Sequence, residues 1–98
     1  MPDVEQRLYA VALELTGRLR VAEGLDAALA DRLVTALEEA AKTWAGANTV
    51  PRSLAALFVG LAPGIESCSY LYSDERVAQD IREFSMRISD MVDHVLND

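Results

Sequence analysis

Cys68 and His94 are the only thiol and the only imidazole in the chain. Nucleophilic or metal-assisted chemistry would have to start from one of them. A reactive cysteine needs a basic neighbour to hold its thiolate. The charge nearest Cys68 in sequence is Glu66, which opposes ionisation. Cys68 also shares a helical stripe with Ile65 and Tyr72, where a free cysteine behaves as a small hydrophobe. His94 follows Asp90 by one helical turn, and Asp-x-x-x-His can supply two metal ligands. Two are too few, and the Glu-x-x-His pairs of a di-iron bundle do not occur here. Near the end of the last helical pattern His94 complements the helix dipole instead. The carboxylates Glu38 and Glu39, Asp80 and Glu83, and Asp90 and Asp93 point away from the apolar stripes, as a solvated face does. Gly60-Leu61-Ala62-Pro63-Gly64 has neither the spacing nor the preceding strand of a phosphate loop. The expectation is a protein without catalytic residues, metal or cofactor, and not an enzyme.

These residues sit on four segments of helical periodicity. Segment one runs from about Asp3 to Ala22, with Asp3 as cap and Val4, Leu8, Val11, Leu15, Leu19 and Ala22 on one face. Tyr9 and Leu13 widen that face, and Gly24 is the expected left-handed stop. Segment two runs from Asp26, its cap, to Trp44, with Leu25, Leu29, Leu33, Ala36, Leu37 and Ala40 inward. Gly46-Ala47-Asn48 ends it. Segment three starts near Pro51, in the first helical position. Leu54, Leu57, Phe58, Leu61, Ile65, Cys68 and Tyr72 keep one phase through Pro63. That continuity predicts one helix over about 52–72, kinked near Pro63, rather than two short ones. Segment four runs from Asp74 to Leu96, with Ser73 as cap and Val77, Ile81, Phe84, Ile88, Met91, Val92 and Val95 inward. No segment alternates with period two. The fold class is therefore all-α, an antiparallel up-down-up-down four-helix bundle, in a single helical domain spanning residues 1–98.

Composition narrows the function. The chain has 98 residues, 51% of them hydrophobic, so it is long enough for one packed core. A net charge of −7 disfavours nucleic acid and bare anionic membranes, whose phosphates require Lys and Arg. The longest uncharged run, Ser53 to Ile65, is too short for a membrane span of ~20 residues. A polar, acidic start and a lone cysteine predict a cytoplasmic, reduced protein.

Trp44-Ala45-Gly46 lies between two helical segments, and Tyr70 and Asp74 are spaced as Tyr-x-x-x-Asp. This resembles the Trp-x-Gly turn and export signal of the small WXG proteins secreted by type VII systems. The resemblance implies two long helices flanking the turn and a secreted protein. The chain departs from that pattern, since Gly24, Pro51 and Pro63 interrupt both halves and Tyr70 precedes a whole further helix.

Segment three carries the strongest functional signal. It is uncharged on every side from Ser53 to Ile65, and a helix apolar all round is normally covered all round. Ala55, Val59 and Ala62 lie outside its inner stripe and are the expected interface. The leading expectation is a non-enzymatic, self-associating interaction module, a homodimer or higher oligomer. An immunity-like or chaperone-like version would mask a basic protein partner. The alternative is a small enzyme or ligand carrier with an apolar pocket at the Pro63 kink, lined by Trp44, Phe58, Cys68 and Tyr72.

Overall fold

The computed structural model describes residues 4–44 and 50–97. Among them the chain forms four α-helices, a short 3₁₀ turn and no strand. The helices are α1 (Val4–Arg20), α2 (Ala27–Trp44), α3 (Arg52–Cys68) and α4 (Glu75–Asn97), with the 3₁₀ turn at Ser69–Leu71. This is the all-α bundle that the periodicity predicts. The expected cap at Asp3 and the stop at Gly46-Ala47-Asn48 lie outside the described residues.

Each visible helix end has a chemical cause. α1 closes with the Glu23 N–H donating to the Arg18 carbonyl (3.1 Å) and the Ala22 N–H donating to that of Leu19 (3.2 Å). This 6→1 and 5→2 pairing needs a left-handed residue, and Ala22 supplies it at φ 62°. The expected stop at Gly24 is thus displaced: Ala22 makes the cap, and Gly24 adds a second left-handed turn at φ 84°. Asp26 caps α2 by accepting from the Leu29 N–H at 3.1 Å. For α4 the cap is Asp74 rather than Ser73, because its carboxylate accepts from the Arg76 N–H at 2.9 Å. Pro51 is the residue before α3, not its first turn; its ψ of 140° is extended.

α3 passes through Pro63 unbroken. Proline has no N–H to give the Val59 carbonyl. Val59 and Pro63 are both exposed, so the turn that lacks this bond lies on the solvent side of α3, where such losses are tolerated. The last turn tightens to 3₁₀ at Ser69–Leu71, and the chain is extended again at Tyr72.

The helices pack as two hairpins. Arg7 pairs with Glu39 (2.6 Å), Arg32 with Glu14 (3.9 Å) and Arg18 with Asp26 (3.2 Å). As position rises along α1 it falls along α2, so the two are antiparallel. These exposed pairs set register more than stability. α3 and α4 form the second hairpin. Across the hairpins α1 packs on α3 and α2 on α4, while α1–α4 and α2–α3 make marginal contact at most. Direction alternates along the chain as expected. Yet the order around the bundle is α1, α2, α4, α3, so the consecutive helices α2 and α3 stand diagonally opposite. α1 and α3 are consequently parallel neighbours: the end of α3 lies beside the end of α1, where the Tyr72 hydroxyl reaches Leu19.

The core is continuous. Leu8, Leu15, Leu19, Leu33, Leu37, Leu54, Phe58, Ile65, Ile81 and Ile88 are fully buried. At ~1.5–3 kcal/mol each, such side chains dominate the stability of a chain this short.

Candidate functional site

The residues that could do chemistry are separated by the fold. Cys68 is buried in the core cluster beneath α3. His94 is exposed in the last turn of α4, at the edge of a cleft that also includes Glu38 and Asp90. No group of three His, Cys, Asp or Glu side chains among the described residues could hold a metal. Ser69 and Ser85 are the buried polar residues among those described. Ser85 donates to the Arg82 carbonyl, whereas the Ser69 hydroxyl has no partner.

The residues expected to line a pocket at Pro63 belong to the core or lie against it. Phe58 and Cys68 are core residues, and Trp44 and Tyr72 lie half-buried against the same core. Pro63 itself is exposed, so the proline faces away from any such cavity. Phe58 and Cys68 both lie on the inner stripe of α3.

Two clefts border α1. One, of about 370 Å³, runs between α1 and α2, and the Arg7–Glu39 ion pair is part of its wall. Its other cation, Arg32, reaches Glu14, so its charge is locally balanced. A second cleft, of about 200 Å³, follows the parallel contact of α1 with α3. Tyr9 and Leu13 form one wall, and Ala56, Gly60 and Gly64 form the other. An added Cβ at Gly60 or Gly64 would meet nothing within 4 Å. Packing inside the chain therefore does not require these glycines, although each costs ~0.5–1 kcal/mol against alanine in mid-helix.

Of the expected interface, Val59 is 71% exposed, Ala55 is half-buried and Ala62 is buried. Ala62 must be corrected: α3 is flanked by both α1 and α4, and the chain covers a wider arc than the leucine stripe marks. The face that remains outward carries Arg52, Ala56, Val59, Pro63 and Glu66. Tyr9 and Leu13, 45% and 62% exposed, continue it onto α1. Sequence reasoning placed Tyr9 and Leu13 at the edge of the α1 stripe but not beside α3, because nothing in the sequence makes α1 and α3 neighbours.

Leu54–Leu71 is long and apolar enough by composition to cross a membrane, and 39% of it is buried inside the bundle. Buried leucines of a bundle helix give the same signal. The chain also departs from the WXG pattern in architecture, with four helices where two long ones are implied. Ala45 and Gly46 of the Trp-x-Gly turn lie outside the described residues. No protein-family model, curated protein or solved structure matches the chain.

Proposed function

We propose that the protein is a non-enzymatic helical interaction module that self-associates through the outer face of α3. The observation that supports this reading is the exposure of Val59, 71%, in the middle of a helix with no charge between Arg52 and Glu66. Solvated helix faces in this chain otherwise carry charge, as α4 does with Asp80, Glu83, Arg87 and Asp90. An outward face without charge between Arg52 and Glu66, beside Tyr9 and Leu13, forms one apolar surface across two helices, of the kind that marks an interaction site. The net charge of −7, carried elsewhere on the molecule, keeps an associating protein soluble.

Sedimentation velocity on the unmodified protein and on Val59→Glu tests this. The unmodified protein is expected to sediment as a dimer at tens of micromolar. Val59→Glu should sediment as a monomer with unchanged helical circular dichroism, because position 59 touches solvent and not the core. A monomeric unmodified protein at that concentration would refute the proposal.

A further inference from the structure

The two charges of α3 stand in a definite relation to its exposed apolar residue. Arg52 lies seven residues before Val59 and Glu66 seven residues after it, and α3 carries no other charged side chain. Seven residues are nearly two full turns, so the three lie on one line along the helix. All three are exposed. Ala56 and Pro63 fall between them and are exposed as well. Among the exposed residues of α3, which also include Gly60 and Ser67, those at 52, 56, 59, 63 and 66 recur in steps of four and three, the spacing of a helix-pairing seam. Among the described residues neither Arg52 nor Glu66 has an ion-pair partner within the chain.

We infer that a second copy of this chain pairs its α3 antiparallel to the first, about a twofold axis passing beside Val59. The inference deepens the self-association reading and rests on it. An antiparallel arrangement centred on Val59 brings residue 52 of each copy opposite residue 66 of the other. Each Arg52 then meets a Glu66, twice per dimer by symmetry. Val59 packs on its own symmetry mate, and Ala56 of one copy lies near Pro63 of the other. A parallel arrangement would set Arg52 on Arg52 and Glu66 on Glu66, so charge selects the antiparallel one. Small residues favour close approach. Ala56 has only a methyl group, and Gly60, beside the seam, has open space where a side chain would stand. A stable interface removes about 1,200–2,000 Å² from water. Five seam residues fall short of that alone, and Tyr9 and Leu13, across the adjoining cleft, extend the apolar area.

Cysteine cross-linking and charge reversal test the geometry on the full chain. Under mild oxidation Val59→Cys should form a disulfide-linked dimer, because residues on the axis come within the ~7 Å Cα separation that a disulfide tolerates. Arg52→Cys alone should not cross-link, since its copies lie ~21 Å apart along the helices at 1.5 Å per residue. A mixture of Arg52→Cys and Glu66→Cys proteins should cross-link to each other. Arg52→Glu and Glu66→Arg should each weaken dimerisation by roughly tenfold at low salt. The double variant Arg52→Glu/Glu66→Arg should recover the original affinity, because both pairs re-form with the charges exchanged. Circular dichroism of each variant checks that the bundle is intact.

A dimer that cross-links through Arg52→Cys alone, or whose affinity ignores both reversals, would overturn the antiparallel geometry and leave self-association standing. An unmodified protein that remains monomeric would overturn both. One that floats with phosphatidylcholine vesicles as a monomer would assign the face to a lipid surface and likewise overturn both.

Discussion

The Tyr72 hydroxyl donates a 2.9 Å hydrogen bond to the carbonyl of Leu19, the last core leucine of α1. The same oxygen accepts from the Gly24 N–H, also at 2.9 Å. One phenol thereby bridges the Leu19 carbonyl at the end of α1 and the Gly24 amide in the loop that follows. It joins the first hairpin to the second at the point where α3 has just ended. A tyrosine suits this position because its ring packs on the core while its hydroxyl stays within reach of backbone.

Tyr72→Phe keeps the ring and removes both bonds. Leu19 retains the Ala22 N–H as a donor, so its carbonyl is not orphaned. A loss of ~1–2 kcal/mol in urea unfolding is expected, with an unchanged denaturant slope. A loss below ~0.3 kcal/mol would mean that water replaces the hydroxyl at no cost.

Ala22→Gly should stabilise the protein. Alanine holds a φ of 62° there, a conformation that costs an L-residue about 1–2 kcal/mol and glycine very little. Part of that gain is offset by the greater freedom of glycine in the unfolded chain. A net increase of ~0.5–1 kcal/mol should appear as a higher urea midpoint. A decrease would show that the cap is made in another way.

Ser69→Ala removes a buried hydroxyl that has no hydrogen-bond partner. Substituting an unsatisfied polar group by an apolar one of similar size is expected to be neutral or stabilising, by up to ~1 kcal/mol. Thermal unfolding measures it. A clear destabilisation would reveal that the hydroxyl is bonded in solution.

Phe84 and Ile88 lie at the centre of the α4 stripe, and the structure buries both. Phe84→Ala should cost ~3–5 kcal/mol and Ile88→Ala ~2–5 kcal/mol. Calorimetry or urea unfolding would detect either easily in a domain of this size. A loss under ~1 kcal/mol would place the stripe outside the core.

Much of the fold is legible residue by residue. Ile81, Phe84, Ile88, Val92 and Val95 recur at three and four, and all are buried. Asp26 reads as a cap and is one. The uncharged run through Val59 marks α3 as unusual, and Val59 is indeed exposed. Cap identity is less legible where two candidates adjoin. Ser73 and Asp74 are both good capping residues, and the path of the chain from Tyr72 decides for Asp74.

The four helices, their inward faces and the alternation of their directions are legible from the residues alone. Those properties follow from backbone hydrogen bonding at 3.6 residues per turn and from short connections, both local. Which helices become neighbours is a matter of packing between them. All four stripes are mainly aliphatic and would pack against one another in several orders, so nothing local distinguishes α1 beside α3 from α1 beside α4. That choice buries Ala62 and sets Tyr9 and Leu13 beside Gly60. The reason is physical: periodicity fixes where a side chain points on its own helix, whereas burial depends on what another helix places in front of it.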